Sequence, residues 1–365
     1  MALCYAPFLH KMIANDGFSI VCCSYDWRNE KDYSDWNGEA YQELRKHMLE
    51  EKELPAHCAE CVTNKEPYKN TFDNLYKKLG EPQLDIITGT AIDTPVSWDL
   101  RMNNLCNLSC RMCGPASSTQ IAKEAIKHPE AWGDIPIEDK YNNFDPIEII
   151  ENAGAIYDLR LLGGEPTLQP ESKDLLQELV NIENTDIRLF ITTNGTNVNK
   201  NFYGLVEKFR DCHIVVSIDS WGEQHDYIRG PASDFATIHK NVQKIKDLPN
   251  KPKVSIQQTV TALNIFDFWK LPQNSEHDVV SNIATFPEFY APKNLPEEWK
   301  KKAIHIAKEN GMYHKCSHIF HLMMEPGDIS HMSELKHRTH LLDHIRGQHL
   351  KDHFPTTYEM LEDIE

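Results

Sequence analysis

The sequence predicts an α/β fold with two parts: a partial (β/α)6 barrel and a small N-terminal α+β hairpin module. From Thr94 onward, short apolar strand patterns alternate with amphipathic helix patterns, which is typical of a parallel sheet with right-handed crossovers. About six such units favour an open barrel over a closed eight-stranded one. Eight of the ten cysteines fall within the first 113 residues, so metal chemistry is expected on the N-terminal side of the sequence.

The N-terminal module is predicted to cover residues 1–92. Residues 3–9 and 18–23 have the composition of short strands, and the turn sequence Asn15-Asp16-Gly17 stands between them, so a hairpin is expected. Helices are then expected at 39–53 and 66–79, and a polar linker at 80–94.

The barrel is predicted to cover residues 93–285, and a helical extension that closes it covers 286–365. Strands are expected at 95–101, 157–162, 186–192, 213–218, 253–260 and 278–284. Helices are expected at 117–127, 170–182, 199–209, 234–247, 295–309 and 332–350. Residues 128–152 form an insertion to which the sequence assigns no structure.

The composition is that of an ordinary globular protein, with 40% hydrophobic residues, 25% charged residues and a formal net charge of −17. An acidic chain repels phosphate backbones, and the longest basic run is Lys300-Lys301-Lys302, so no nucleic-acid partner is expected. No apolar run reaches the roughly 18–20 residues that span a bilayer, and the first residues lack the pattern of a secretory signal. We therefore expect a cytoplasmic protein without membrane contact.

Three cysteines stand within eight residues, at Cys106, Cys110 and Cys113, with the spacing C-x3-C-x2-C. A cubane [4Fe–4S] cluster has four irons, and each needs one ligand, usually a thiolate. Three thiolates would hold such a cluster and leave one iron open. A structural zinc site needs four closed ligands, so zinc is the alternative only with a fourth ligand elsewhere. The spacing therefore indicates a reactive cluster.

Further polar residues and glycines follow the predicted strands, at the edge where parallel βα sheets bind their ligands. Gly163-Gly164-Glu165 follows the second strand, Asn194 follows the third, and Ser217 and Asp219 close the fourth. Each alone has an ordinary explanation, such as a turn for the glycines or a helix cap for Asp219. Their common order along the strands predicts one shared pocket.

These motifs resemble the radical S-adenosylmethionine (radical SAM) superfamily over roughly residues 94–262. The resemblance implies that Cys106, Cys110 and Cys113 ligate a [4Fe–4S] cluster and that SAM closes the open iron with its amino and carboxylate groups. It further implies that the reduced cluster cleaves SAM to a 5′-deoxyadenosyl radical, which abstracts a hydrogen atom from a substrate.

The resemblance also implies which residues contact SAM. Arg229 is a candidate partner of its carboxylate, because a guanidinium binds a carboxylate bidentately. Met112 stands where the family often has an aromatic residue, and a thioether can still pack on adenine. The other candidates are Gly163, Gly164 and Glu165 for the amino group, Asn194 and Ser217 for the ribose or carboxylate, and Asp219.

A second cysteine set consists of Cys4, Cys22, Cys58 and Cys61. If Gly17 turns the hairpin, Cys4 and Cys22 would face each other across it, and the Cys58-x2-Cys61 pair would complete a four-thiolate site. Tetrathiolate sites suit both zinc and Fe–S clusters, so a zinc knuckle is an alternative. Cys23 is the alternative to Cys22.

This second set resembles the auxiliary-cluster module of SPASM and twitch radical SAM enzymes, although here it precedes the barrel. The resemblance implies one closed auxiliary [4Fe–4S] cluster in electron transfer, as in the twitch type. Cys212 is expected to be a core residue. Cys316 is expected to be buried, with a radical-quenching thiol or an additional ligand as alternatives.

The sequence thus predicts a radical SAM enzyme, an oxidoreductase or a peptide-modifying enzyme. The expected partners are a peptide or small-molecule substrate and an electron donor such as flavodoxin or ferredoxin. Two alternatives stay open: a sugar or amino-alcohol dehydrogenase of the same superfamily, and a zinc-stabilised, non-catalytic metal-binding protein.

Overall fold

The structure, a computed structural model, describes residues 3–14, 17–23, 25, 31–51, 53–58, 61, 67–80, 84–85, 87–132 and 147–364. The chain folds into two compact units. Unit 1 comprises Met1–Leu105, Lys140–Thr192 and Asn199–Cys212. Unit 2 comprises Cys106–Asp139, Thr193–Val198 and His213–Glu365. The boundaries predicted from the sequence, after residues 92 and 285, stay a prediction.

The described strands are β1 His10–Ile13, β2 Ser19–Ile20, β3 Leu84–Asp85, β4 Thr90–Ala91, β5 Ser97–Leu100, β6 Asp158–Leu161, β7 Arg188–Thr193, β8 Asp211–Ser217, β9 Lys253–Val260 and β10 Val279–Ile283. The described α-helices of the first 250 residues are α1 Ala6–Leu9, α2 Glu39–Glu50, α3 Pro67–Leu79, α4 Thr119–Lys127, α5 Ile147–Glu151, α6 Pro170–Asn181, α7 Lys200–Val206, α8 Glu223–Arg229 and α9 Phe235–Lys246. Those that follow are α10 Lys270–Asn274, α11 Glu297–Glu309, α12 Ser317–Met323, α13 His331–Arg346, α14 Leu350–His353 and α15 Pro355–Glu362.

The main sheet of unit 1 has the strand order β2-β1-β5-β6-β7, in which β2 is antiparallel to β1 and the other pairs are parallel. A row of polar residues crosses its strand starts, with His10 opposite Ser97 and Ser97 opposite Asp158. The Ser97 hydroxyl donates to Asp158 Oδ2 at 3.1 Å and pairs with His10 Nδ1 at 2.8 Å. Burial lowers the pKa of His10 to about 3, so the His10 side chain in this row is uncharged. Since a slip of one residue would break these bonds, the row fixes the register.

Strands β8, β9 and β10 of unit 2 are parallel neighbours, with Ser217 opposite Gln257 and Val279 opposite Ile256. The core of this unit packs β9 and the segment after it against the C-terminal helices. Burial of Phe266, Phe320 and Phe354, each at most 2% exposed, marks the centre of that core. The C-terminal helices therefore belong to the same hydrophobic core as the last strands.

The predicted α/β class is confirmed, because β5 to β10 follow one another in the chain with helices between them and every described pairing among them is parallel. The strand at 253–260 is observed with the predicted bounds. The sequence does not predict α5, α8, α10, α12, α14 or α15. None of the described helices combines the length and apolarity needed to cross a membrane.

The predicted strand at residues 3–9 is wrong. Ala6–Leu9 form helix α1, whose four residues are all buried, and the strand begins at His10. A short apolar run fits a buried helix as well as a strand, and Pro7 at the helix start favours the helix.

Of the second predicted strand, at residues 18–23, only β2 is observed as a strand. Asn15 and Asp16 of the predicted turn lie outside the described residues, and Gly17 has a φ of +81°. The predicted linker at 80–94 contains the short pair β3–β4.

Candidate metal and cofactor site

The loop that carries the three cysteines runs from the end of β5 to the start of α4, and the first residues of α4 anchor it. Ser118 accepts from the N–H groups of Gln120 and Ile121 as the helix cap, and its hydroxyl donates to the Leu108 carbonyl at 2.5 Å. The Thr119 hydroxyl donates to the Cys106 carbonyl at 3.0 Å. The cysteine loop is therefore tied to a helix N-terminus by two side chains.

The three thiols lie together in unit 2. Cys106 and Cys110 are 8% and 5% exposed, Cys113 is half-buried, and all three belong to one cluster with Leu108. A hydrogen bond with Cys113 lowers the pKa of Cys110, and the positive charge of Arg229 acts in the same direction. The same hydrogen bond and burial raise the pKa of Cys113. The hydrogen bond and the Arg229 charge thus favour the thiolate form of Cys110, which is the form in which a cysteine binds a metal.

Two side-chain N–H groups point at cysteine sulfurs. Asn194 Nδ2 lies 3.9 Å from Cys106 Sγ, and Arg229 Nη1 lies 3.8 Å from Cys110 Sγ. Asn194 Nδ2 also donates to Asn107 Oδ1 at 2.9 Å, and its Oδ1 accepts from the Thr196 hydroxyl at 2.7 Å. Sequence reasoning does not single out Asn107 and Thr196, although Asn107 directly follows Cys106 and Thr196 is two residues after Asn194. The predicted contact of Asn194 with SAM stays a prediction.

Arg229 is ion-paired with Asp219, another predicted site residue. Its Nε donates to Asp219 Oδ2 at 2.6 Å, and the Asp219 side chain is fully buried. Burial alone would lower the pKa of Arg229, but the negative charges of Asp219 and Cys110 outweigh it and raise that pKa. The guanidinium therefore stays charged beside Cys110.

Arg111 lies between two of the cysteines and is a site residue that the sequence does not reveal. Its side chain is fully buried, its Nη2 donates to Asp343 Oδ1 at 2.5 Å, and its guanidinium stacks 3.8 Å from the centre of the Tyr227 ring. The Tyr227 hydroxyl donates to the same Asp343 oxygen at 2.8 Å. Asp343 belongs to α13. The C-terminal extension therefore forms a buried ion pair with the cysteine loop within unit 2.

The Gly163-Gly164-Glu165 loop follows β6 in unit 1, and both glycines have left-handed φ values of +69° and +46°. A Cβ on Gly164 would lie 2.6 Å from the Leu105 carbonyl oxygen. The Glu165 N–H donates to that same oxygen at 2.8 Å, and Glu165 Oε1 accepts from the Thr167 hydroxyl at 2.7 Å. The Gly163-Gly164-Glu165 loop thus packs closely against Leu105, the residue that directly precedes Cys106 in the chain.

We expect the substitution Gly164→Ala to destabilise the protein by at least about 1 kcal/mol through its left-handed backbone alone, with an added cost because the Leu105 and Asn103 carbonyls must move. Urea unfolding measures this. Gly154→Ala is the matched control in unit 1, because a Cβ there meets no atom within 4 Å, and it should change stability by less than about 0.5 kcal/mol. Equal effects of the two substitutions would contradict this account of Gly164.

The remaining predicted residues are placed as follows. Ser217 ends β8 and is half-buried, and Met112 is half-buried against the core of unit 2. Cys212 and Cys316 are 4% and 3% exposed, so their predicted burial is confirmed. In unit 2 the structure brings together the three cysteines, Asn194, Asp219 and Arg229.

The second cysteine set lines one apolar cavity in unit 1. Cys4, Cys22, Cys58 and Cys61 all contribute to its wall, whereas Cys23 is exposed and does not. Burial and the neighbouring thiols Cys4 and Cys61 raise the pKa of Cys58 to about 12. Cys4 lies before α1 and not on a hairpin strand, so the predicted facing of Cys4 and Cys22 across a hairpin is wrong, although both reach this cavity.

All ten cysteines lie in described parts of the chain, and no disulfide joins any of them. In those parts, no three His, Cys, Asp or Glu side chains converge as the ligands of a single metal ion do. The ligands of a four-iron cubane each bind a different iron, so the cluster predictions do not depend on such convergence.

Residues 100–262, which begin at the end of β5 and include the three-cysteine loop and the Gly-Gly-Glu loop, match the family model of the Radical SAM superfamily. Residues 100–262 form a radical SAM domain. This confirms the family predicted from the cysteine and glycine motifs. The family that this segment matches implies SAM and a [4Fe–4S] cluster as cofactors. The donor set of the segment fits such a cluster, because it has three clustered thiols, two of which are approached by N–H donors.

Similar proteins include the sporulation killing factor maturation protein SkfB of Bacillus subtilis, which is 25% identical over 155 residues. That match covers 42% of this chain, and the chain spans 33% of the length of SkfB. Among solved structures, anSMEcpe with bound AdoMet is 16% identical, with a TM-score of 0.40 and coverage of 58% of each chain. Streptococcus suis SuiB bound to S-adenosylmethionine is 14% identical, with a TM-score of 0.37 and coverage of 73% of this chain and 52% of SuiB.

Proposed function

We propose that this protein is a radical SAM enzyme that binds a [4Fe–4S] cluster at Cys106, Cys110 and Cys113 and modifies a peptide. The observation that carries this proposal is the set of three adjoining thiols at the start of the segment that matches the superfamily. When bound, the cluster and SAM supply a one-electron cleavage that yields a 5′-deoxyadenosyl radical for hydrogen-atom abstraction.

The residues of this chain have three tasks in that proposal. The cysteines bind iron, and burial keeps water from Cys106 and Cys110. Asn194 and Arg229 donate N–H groups toward the two sulfurs, which orients the ligands. The Gly163-Gly164-Glu165 loop offers backbone groups without side-chain bulk and is the predicted contact of the SAM amino group.

A peptide is the substrate class that we favour over a free metabolite. SkfB, which matches 42% of the chain, is named as a maturation protein for a killing factor, and maturation is the modification of another gene product. The same proposal includes a chemical modification of the peptide and an electron donor, which we predict to be flavodoxin or ferredoxin.

We further propose that Cys4, Cys22, Cys58 and Cys61 hold an auxiliary [4Fe–4S] cluster that transfers electrons. Four thiols on one apolar cavity fit a closed cluster, since every iron then has a protein ligand. Cys22 is the assigned ligand in place of Cys23, because Cys22 lines the cavity.

The metal content of the anaerobically reconstituted protein tests this second site. We expect roughly eight irons per chain, and about four after the substitution Cys58→Ala, because a cubane holds four irons. About four irons with one zinc in the unsubstituted protein would mean that the second site is a zinc knuckle. Cys23→Ala, an exposed neighbour of the set, is the control and should keep the full iron content.

Electron paramagnetic resonance tests the open iron of the first cluster. Addition of SAM to the reduced protein should change one of the two cluster signals and leave the other unchanged, because one cluster is fully ligated by protein. If SAM changes neither signal, the triad does not hold a SAM-binding cluster and the proposed function is wrong.

A further inference from the structure

A buried ion pair lies against the Cys110 sulfur. Arg229 Nη1 is 3.8 Å from Cys110 Sγ, while Arg229 Nε donates to Asp219 Oδ2 at 2.6 Å. The side chains of Arg229 and Asp219 are 11% and 0% exposed. Because little water reaches them, their charges act on Cys110 more strongly than surface charges would.

Every polar group of Asp219 makes a hydrogen bond within the protein. Its N–H donates to His225 Nδ1 at 3.1 Å, and its Oδ1 accepts from the Thr259 N–H at 2.9 Å. Its carbonyl accepts from Gln258 Nε2 at 3.0 Å and from Asn264 Nδ2 at 2.9 Å. With backbone and carboxylate both fixed, Asp219 gives the guanidinium of Arg229 one position.

The backbone around Arg229 is fixed to the cysteine loop as well. The Arg111 N–H donates to the Ile228 carbonyl at 2.8 Å. Gly230, with a φ of +95°, lies so close to Ser109 that a Cβ would stand 2.5 Å from its hydroxyl oxygen. Residues 228–230 therefore run along residues 109–111, and both ends of Arg229 are tied to the surroundings of Cys110.

We propose that the Asp219–Arg229 pair sets the reduction potential of the cluster that Cys110 ligates. Arg229 donates a hydrogen bond to the ligand sulfur and stabilises the added electron, and Asp219 is its positioning residue. Hydrogen bonds to cluster sulfurs and nearby charge are the terms by which proteins tune such potentials. This inference rests on the proposed function, because it needs a cluster at the triad. It differs from the carboxylate-binding role predicted for Arg229, whose Nε and Nη1 are engaged by Asp219 and Cys110.

Opposite shifts are expected for the two partners. Arg229→Gln removes the positive charge and should make one-electron reduction about tenfold less favourable, which is about 59 mV for a one-electron couple. Asp219→Asn removes the negative charge, and its one side-chain oxygen can still accept from Arg229 Nε and hold the guanidinium in place, so the potential should become more positive. Arg229→Lys keeps the charge and should shift the potential less than Arg229→Gln does.

The test is a redox titration of the anaerobically reconstituted full chain, followed by electron paramagnetic resonance, with the SAM-responsive signal reporting the cluster at Cys110. The matched controls are Arg210→Gln and Asp186→Asn, since this pair is 82% and 72% exposed and should leave the potential unchanged. Equal potentials in all variants would overturn the inference. Shifts of Arg229→Gln and Asp219→Asn in the same direction would also overturn it, because a general loosening of the structure gives no reason for the two potentials to shift in opposite directions. Absence of a SAM-responsive signal in the unsubstituted protein would instead overturn the proposed function.

Discussion

Cys110→Ala is expected to abolish the cleavage of SAM. Cys110 is buried with Cys106 and Cys113, and its loss leaves two thiolates for a cluster that needs three protein ligands beside an open iron. We expect 5′-deoxyadenosine to fall at least ~100-fold, since loss of an outer-shell partner alone can cost 10–100-fold. Chromatography of the anaerobic reaction with SAM and a strong reductant measures this product.

Cys316→Ala is the matched control, because Cys316 is a buried cysteine of the same unit that packs in the C-terminal core. It should retain 5′-deoxyadenosine formation and the full iron content, whereas Cys110→Ala should lose about four irons. Product formation by Cys110→Ala at the rate of the unsubstituted protein would refute the assignment of the triad.

Asp343→Ala is expected to have the largest effect on stability. Its carboxylate is the partner of Arg111, whose guanidinium is fully buried, and it also accepts from the Leu350 N–H at 2.7 Å. Removal leaves an uncompensated buried charge, which costs about 3–5 kcal/mol. Urea unfolding of the cluster-free proteins measures this change. The iron content after reconstitution should also fall, because Arg111 lies within the cysteine loop.

Two comparisons isolate the cause. Asp186→Ala breaks an exposed ion pair with Arg210 and should cost less than about 1 kcal/mol. The double substitution of Arg111→Met with Asp343→Leu removes both charges and should restore much of the stability, since apolar replacement of a buried pair is often neutral. A double variant as unstable as Asp343→Ala would show that the unpaired charge is not the reason.

Strands β5 to β10 could be predicted because each carries apolar residues at alternating or successive positions and is followed by polar or glycine residues. The observed strand Lys253–Val260 and the positions of Gly163 and Asn194 after their strands follow from that pattern. The start of the chain could not be predicted in the same way. In residues 3–9 every position is apolar or buried, so no alternation separates a strand from helix α1.

The cysteines of the candidate site could be predicted because metal ligands have characteristic spacings in the chain. The groups that hold them could not, because their contacts join distant parts of the sequence. Arg111 and Asp343 are 232 residues apart, and an arginine in a loop most often lies at the surface. The family resemblance and the chemistry of a guanidinium predict Arg229 as a partner of the SAM carboxylate, but its engagement by Asp219 and Cys110 depends on the fold.

The central claim is that the three-cysteine loop binds a cluster that cleaves SAM, and the most direct measurement is 5′-deoxyadenosine formed by the full chain. The chain is reconstituted anaerobically and incubated with SAM and a strong reductant, with iron measured in the same sample. We predict 5′-deoxyadenosine that depends on both SAM and reductant. A sample with roughly eight irons per chain that forms none would contradict the claim.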